Sequence, residues 1–438
     1  MEIIIVGAGI AGLALAGLLG RSGHKVTVLE AAPAISEVGA GLTCSPNLTR
    51  LLSRWGHDAE IRKHIDVLSQ ISLRRWEKGE FLGAAPLMPR VEELHGAPQY
   101  VAHRADIHKV LLEDAATVSE LRVNSMVTAV DFFAPSVTLS DGITLRADLI
   151  VGADGMKSTC RRLIYDYLGM VDKATPTGDA AYRACIPLDE INDPELREFV
   201  TERVATRWMG GGRHVQAYPI RHGQLYNMVL CHPDTDISEE SWTAKASKQR
   251  VLENFADWDT GRLQKLLDLI PEDNVLEWRL CQHDPLPTWI LGKLVLLGDA
   301  CHPMLPYNAQ GAAQAVEDVA VLHLAIDRVK KPSDLPALLK AYELARKSRS
   351  EFIMLQSGVT GKALHLHDGP EQQARDQKFG SVSQGGDNPD LLGDAATQTF
   401  LWDHDPEQHF LDNIEALLQS AHSQLTSNHV VERPNGKL

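Results

Sequence analysis

Positive charge is in short supply in this chain: 43 Lys and Arg stand against 58 Asp and Glu in 438 residues, a formal net charge of −15. Such a surface repels phosphate backbones and anionic headgroups, so nucleic acid and membrane are excluded as partners and small molecules are expected. CxxC pairs are absent. The six cysteines, Cys44, Cys160, Cys185, Cys231, Cys281 and Cys301, are scattered, which suits free thiols in a reducing compartment. Cys231-His232 and Cys301-His302 are adjacent pairs, but no second pair stands at zinc-site spacing, so no metal is expected. The apolar run from Ile3 to Gly20 lacks the basic residues in front and the small-residue cleavage site behind that mark a secretory segment; only Glu2 separates it from Met1. A cytoplasmic protein that starts folded is the expectation. No internal repeat is present.

The same apolar run carries the main signal. Ile3-Ile4-Ile5-Val6 reads as a buried strand and leads into Gly7-Ala8-Gly9-Ile10-Ala11-Gly12, followed by an apolar helix and a second strand, Lys25 to Leu29. Glu30 closes that strand, eighteen positions after Gly12. This is a dinucleotide-binding βαβ unit. Gly7 turns the chain off the strand, Gly9 admits a pyrophosphate to the backbone, and Gly12 brings the helix close to the sheet. Phosphates would rest on the N–H groups of the first helical turn around Ala11, and Glu30 would accept hydrogen bonds from a ribose.

Further along, Glu37 to Leu42 is a glycine-bearing loop, with Gly41 able to lie flat against a planar ligand, and a helix follows to about Trp55. Residues 74–93 suggest a hairpin with a Pro- and Ala-rich loop. Arg104 stands at the entrance of a helix over Ala105 to Ala115, either as a surface charge paired with Asp106 or as a cation facing a cofactor. Short alternating runs from Leu121 to Leu149 suggest a meander. A strand then ends on Asp154-Gly155. Extended runs between Thr177 and Arg279 predict a mainly antiparallel sheet, with helical segments at Ser241 to Phe255 and Gly261 to Leu269. A third glycine-carboxylate strand end, Gly298-Asp299, precedes a long helix whose first turn, Gly311-Ala312, is small enough to sit on a ligand. Asp299 itself could be a helix cap or a ligand to hydroxyl groups. Another helix spans Leu335 to Leu355. Beyond Leu364 the chain reads as loop until a closing helix near Gln408 to Gln424.

The glycine triplet, Asp154-Gly155 and Gly298-Asp299-Ala300-Cys301-His302-Pro303, with Pro306 and Gln310-Gly311-Ala312, resemble the FAD-dependent single-component aromatic hydroxylases of the para-hydroxybenzoate hydroxylase superfamily over nearly the whole chain. Trp402-Asp403-His404-Asp405 resembles the salicylate hydroxylase branch. The resemblance implies bound FAD and NADH or NADPH as co-substrate. It places Glu30 on the adenosine ribose, Arg104 along the cofactor, Asp299 on the ribityl chain, and Asp154 between FAD and the transient nicotinamide. It also implies that O₂ adds to the reduced flavin and that the resulting hydroperoxide attacks an electron-rich ring. No second glycine triplet exists for NAD(P)H, and no Trp-x-Trp-x-Ile-Pro of a halogenase.

The fold class expected is α/β: a Rossmann-like FAD-binding domain in two parts (1–176, with a substrate-side hairpin near 70–98, and 285–363), an inserted mainly antiparallel substrate sheet (177–284) and a helical C-terminal region (364–438). On the inserted sheet, His214 and Tyr218 are the candidate catalytic pair. Strand alternation puts them on one face about 13 Å apart, and a His-x-x-x-Tyr-Pro segment is similar to one in the salicylate and hydroxynicotinate hydroxylases. They are either a base and an orienting phenol or ordinary core residues. Thr43-Cys44 departs from the histidine that relatives can carry after the glycine loop. The reaction expected is hydroxylation of a small phenolic or related aromatic acid, with epoxidation or dearomatisation of a larger product, or a flavin-bearing regulatory protein, as alternatives. A monomer or a homodimer is expected.

Overall fold

Ile3, Ile4, Ile5 and Val6 are all buried in strand Glu2–Val6, as a strand covered on both faces must be. The computed structural model describes residues 1–35, 40–234, 245–272, 275–381, 388–389 and 393–427. Around that strand a six-stranded sheet forms in the order Ile290–Leu291, Leu294–Leu296, Leu149–Gly152, Glu2–Val6, Lys25–Leu29, Glu120–Arg122. All neighbours are parallel except the antiparallel edge pair Ile290–Leu291 with Leu294–Leu296. Helix Ile10–Arg21 packs against this sheet and against helices Arg104–Val118 and Gly311–Asp327. Its approach depends on Gly12, where a Cβ atom would lie 2.1 Å from the Gly7 carbonyl oxygen.

The second sheet has seven strands in the order Leu276–His283, Ala174–Pro187, Leu225–Pro233, Arg213–Ile220, Val204–Gly210, Gln70–Arg75, Phe81–Pro86. It is antiparallel apart from the pair Val204–Gly210 with Gln70–Arg75. Its two faces join different cores. Along Arg213–Ile220, Tyr218 and Ile220 enter the cluster facing the first lobe, with Leu305, Tyr307 and Trp402. Val215 and Ala217 join Trp208, Phe255 and Trp258 on the far side, beside helices Lys248–Asn254 and Leu263–Asp268. At the end of Arg213–Ile220, Arg221 donates to both carboxylate oxygens of Asp106 at 2.8 and 2.7 Å, tying the sheet to the start of helix Arg104–Val118. Asp106 is therefore the partner of Arg221.

Several sequence expectations are corrected. Within 74–93, only the first part is hairpin; Arg90–His95 is a helix, seated by Pro89 before it. Gly41 begins a strand, Gly41–Cys44, paired with Tyr100–His103, and Glu37 to Gly39 lie outside the described residues. The Ser241 to Phe255 helix is confined to Lys248–Asn254 among the described residues, with Ser241 to Ala244 outside them. Helix Leu335–Leu364 runs nine residues past the expected Leu355. Past Leu364 the chain is not loop: Pro370–Ser381 and Ala395–Trp402 are helices, the first entered through a proline whose fixed φ suits a first turn. Gly385-Gly386 lie outside the described residues.

A buried charge network locks the helices together. Arg346, fully buried, donates to Asp318 at 2.8 Å, Glu317 at 2.6 Å and Gln314 at 2.8 Å, while Asn47 reaches Glu317 at 2.7 Å. Burial opposes charging of Glu317 and Asp318, but the nearby cations prevail and hold both carboxyls below their ordinary range. Histidines show the opposite balance. Burial brings His232 and His404 down to about 4 and also lowers His57, His103, His214 and His323. These groups stay neutral in the fold while they would protonate in the unfolded chain below about 6.5. Stability should therefore be flat above that pH and fall as pH drops from 6.5 toward 4, by up to about 1.4 kcal/mol per pH unit for each fully linked histidine. Thermal unfolding at pH 7.5, 6.0 and 5.0 checks this; a melting temperature that rises on acidification would contradict it.

Candidate active site

Where the glycine turn faces the inner side of the seven-stranded sheet lies a cavity of about 280 Å³. One wall is built by backbone: Gly9, Ile10 and Ala11 at one helix start, Gln310, Gly311 and Ala312 at another. Neither helix N-terminus is capped by a side chain, so their first-turn N–H groups are available to a ligand. A Cβ on Gly9 would meet nothing within 4 Å, so the space beside it is open. Asp299 also lines the cavity, at the start of the short turn after strand Leu294–Leu296, and among the described residues its carboxylate takes no hydrogen bond. Arg104 completes this wall.

The facing wall comes from the sheet. His214, Gln216 and Tyr218 all line the cavity, as strand alternation requires, together with Arg183 and Arg207 from neighbouring strands. Burial pushes the Tyr218 phenol up to about 12 and Arg183 down to about 10, Arg104 adding to the latter by like charge. Arg183 lies over the Trp278 ring, 4.1 Å from its centroid. Arg207 donates to Gln216 at 2.6 Å. Burial holds the His214 imidazole well below its ordinary value, with His365 and Arg207 acting in the same direction. Leu68, Ile71, Val101, Leu305 and Trp402 add apolar surface to the lining, and Thr43, Ser45, Gln99 and Asn308 add polar groups.

Gly41 belongs to both walls. Its N–H donates to Asn227 at 2.7 Å, and a Cβ there would lie 2.5 Å from the Tyr218 hydroxyl and 2.6 Å from the Asn227 amide carbon. Only glycine lets the sheet come this close to strand Gly41–Cys44.

Nine of the sequence-chosen residues thus meet around one cavity: Gly9, Ala11, Gly41, Arg104, His214, Tyr218, Asp299, Gly311 and Ala312. Four stand behind it. Gly7 and Gly12 hold the helix to the strand, Gly7 donating to Leu29 at 2.8 Å. Glu30 accepts from the N–H groups of Ala8 and Ala32 at 3.0 and 2.9 Å, bracing the turn from below. Asp154 accepts from Ser158 at 2.5 Å and Cys160 N–H at 3.0 Å, so its carboxylate secures the start of helix Thr159–Leu168 while Ala153 and Gly155 face the cavity.

Trp402 was singled out only as part of a motif, and its neighbours explain why that motif exists. Asp403 meets His95 at 2.6 Å, Asp405 meets Arg54 at 2.6 Å, and Arg349 donates to the Leu401 carbonyl at 3.0 Å, so the stretch is clamped where Trp402 closes the cavity. Tyr307 was missed. It lines the cavity from the turn Pro306–Asn308, and Gly361 makes room for its ring, since a Cβ there would lie 2.6 Å from it. Cys301, His302 and Asp318 bring their ligand atoms within 4.8 Å of one another. Asp318 accepts from His302 at 2.5 Å, Gly298 at 3.1 Å and Arg346 at 2.8 Å, so its carboxylate is engaged by protein groups.

A parallel nucleotide-binding sheet whose glycine turn faces an antiparallel sheet across one cavity is the architecture of the flavoprotein hydroxylases. The chain belongs to that class: the FAD binding domain family matches residues 1–357. It is 38% identical over 394 residues to the FAD-dependent monooxygenase ntnJ of Nectria sp, covering 89% of this chain and 91% of the relative. It is 32% identical over 392 residues to 3-hydroxybenzoate 6-hydroxylase 1 of Aquipseudomonas alcaligenes, covering 87% and 94%. The crystal structure of CtdE in complex with FAD and substrate 4 superposes with a TM-score of 0.82 at 24% identity, covering 96% of this chain and all of that one. The protein is an FAD-dependent monooxygenase. Its open space beside Gly9, two uncapped helix starts and unengaged Asp299 carboxylate fit that cofactor. Among the described residues no helix is long and apolar enough to cross a membrane.

Proposed function

We propose that this monooxygenase hydroxylates a small phenolic or related aromatic acid, salicylate-like, with NAD(P)H and O₂ as co-substrates. The observation that carries this reading is the sheet wall: His214 and Tyr218 stand beside Arg183 and Arg207 on the side of the cavity that faces the glycine turn. The 3-hydroxybenzoate 6-hydroxylase relative supports an aromatic acid. Bound FAD supplies electron transfer from NAD(P)H and activation of O₂.

The chain's own residues hold the reactants and move a proton. Gly9, Ala11, Gly311 and Ala312 would present backbone N–H groups to the cofactor's phosphates and to negative charge on its ring system. Gly7 and Gly12 fix the helix that carries the first of these, Glu30 braces the turn toward the adenosine ribose, and Asp154 keeps the Ala153–Gly155 wall in place. Asp299 would accept hydrogen bonds from ribityl hydroxyls, Arg104 would supply positive charge along the cofactor, and Gly41 would leave room for its ring system. On the substrate side, residues 177–284 with the hairpin at 70–86 act as the substrate domain. Arg183 and Arg207 attract the carboxylate. His214, kept neutral by its surroundings, accepts the phenolic proton at Nε2, and Tyr218, kept protonated, donates to the ring oxygen. Apolar walls exclude water.

Screening aromatic acids for stimulated NAD(P)H oxidation, with product and peroxide measured together, tests the reading. A ring-hydroxylated product is expected; an epoxide or a dearomatised larger molecule would move the assignment to the alternative chemistry. Asp299→Ala should weaken FAD binding without unfolding the chain, because among the described residues its carboxylate takes no hydrogen bond. Losing a charge-assisted hydrogen bond of about 1.5–3 kcal/mol lowers FAD affinity roughly ten- to a hundredfold. Flavin absorbance and apo-protein melting check this. A lower apo melting temperature with normal FAD affinity would make Asp299 a structural cap.

A further inference from the structure

His214 has a second side, away from the cavity. Its Nδ1 lies 2.8 Å from Nε2 of His365, at the end of helix Leu335–Leu364. The Nδ1 of His365 lies 3.4 Å from Oδ2 of Asp179, on strand Ala174–Pro187. That same oxygen accepts the Tyr307 hydroxyl at 2.9 Å, and the Tyr307 ring packs edge-on against His365. Solvent exposure increases along the line: His214 is 5% exposed, and the side chains of His365 and Asp179 are 11% and 25% exposed.

We propose that His214, His365 and Asp179 form a proton relay that carries the substrate's phenolic proton out of the cavity, with His214 touching substrate and the other two acting as positioning residues behind it. The inference rests on the phenolic-acid reading above. The relay begins with His214 protonated on Nδ1 and His365 on its own Nδ1. As the substrate O–H bond breaks, a bond forms from that hydrogen to Nε2 of His214. The Nδ1–H bond of His214 breaks in turn and the proton passes to Nε2 of His365. His214 ends neutral, His365 ends positive beside the Asp179 carboxylate, and the substrate ends as phenolate. No electrons are transferred.

The surroundings explain why one histidine is not enough. Facing His214 are Arg207 and Cys231 on adjacent strands, His365 from the helix end and Tyr307 from its turn, with Tyr218 further along its own strand. None of these is an anion, and Arg207 repels positive charge. Asp179 is the carboxylate of the group, and it meets His365, where a positive charge is better hydrated and directly paired. Tyr307 orients the carboxylate by donating to it.

A purely structural cluster would tie the helix end to the sheet and nothing more, so the test uses a readout that such a role leaves alone. His365→Gln and Asp179→Asn are prepared as FAD-loaded enzymes and assayed at pH 7 with substituted phenolic acids of decreasing phenol acidity constant. For phenols neutral in solution, kcat/KM should fall about tenfold or more in both variants. For phenols already ionised at pH 7 the deficit should shrink to less than about twofold, because the relay has no proton to carry. A deficit independent of phenol acidity, or none, overturns the relay. A second readout needs no turnover: spectra of ¹⁵N-histidine-labelled enzyme should place the His365 proton on Nδ1 and the His214 proton on Nδ1, with Asp179→Asn redistributing the His365 tautomers. If no phenolic acid is turned over by the unaltered enzyme, the substrate reading fails, and these spectra decide the relay: His365 protonated on Nε2 alone would refute it.

Discussion

Replacing Gly12 by valine should yield a protein that no longer retains FAD. Even the first carbon of the new side chain would be placed 2.1 Å from the Gly7 carbonyl oxygen and 3.4 Å from Cγ2 of Ile5. The nearer contact sets a Cβ, whose place the backbone fixes, against a backbone carbonyl, so no rotamer relieves it. Helix Ile10–Arg21 has to lift from strand Glu2–Val6, and with it move the N–H groups at Gly9 to Ala11 that face the cavity. The helix is also pinned from behind, with Leu13, Leu15 and Leu19 fully buried, so the displacement disturbs the core as well. Overpacking of this kind costs about 1–3 kcal/mol or more in stability, while FAD affinity should fall at least about a hundredfold. Gly9→Ala separates the two effects. Nothing lies within 4 Å of a Cβ there, so the apo protein should melt normally while the methyl group occupies space a ligand needs. Flavin absorbance after desalting, beside apo melting curves, reads both. A Gly12→Val protein that binds FAD normally would place the nucleotide elsewhere.

His214→Gln should leave FAD content and melting unchanged and reduce substrate-dependent turnover by about 10²–10⁴-fold. Glutamine preserves size and a hydrogen bond toward His365 but cannot accept and release a proton. The electrostatics favour a neutral imidazole, since burial, His365 and Arg207 all oppose its charge. Tyr218→Phe should be milder in rate and show chiefly in coupling: burial keeps the phenol protonated, so the change removes a donor that orients the ring. Product per NAD(P)H consumed, measured with peroxide, distinguishes the two. If both variants retain normal rate and coupling on the true substrate, the pair is sheet structure and Arg183 and Arg207 carry recognition.

How far the sequence reached follows from which contacts are local. The glycine turn, its helix and both flanking strands are one continuous stretch, and their boundaries are legible because each residue's role depends on neighbours within thirty positions. That His214 and Tyr218 share a face was legible by alternation, and the His-x-x-x-Tyr-Pro resemblance singled them out. Arg221 with Asp106, His214 with His365 and Gly41 with Asn227 were not. These pairs are separated by 115, 151 and 186 positions, and no periodicity encodes them. The polar helix Pro370–Ser381 is illegible for a different reason: it has no apolar stripe to announce it. Arg346 gave no signal because a buried arginine looks like a surface one until its carboxylates are placed around it.

The most direct measurement of the central claim is a turnover under ¹⁸O₂ with the best aromatic acid from the screen, followed by mass spectrometry of the product and by NAD(P)H and peroxide accounting. A ring-hydroxylated product carrying one ¹⁸O atom should form in near one-to-one proportion with NAD(P)H consumed, and His214→Gln should lower that yield while its FAD remains bound. Product oxygen derived from water, or NAD(P)H oxidation that no aromatic acid stimulates, would contradict it.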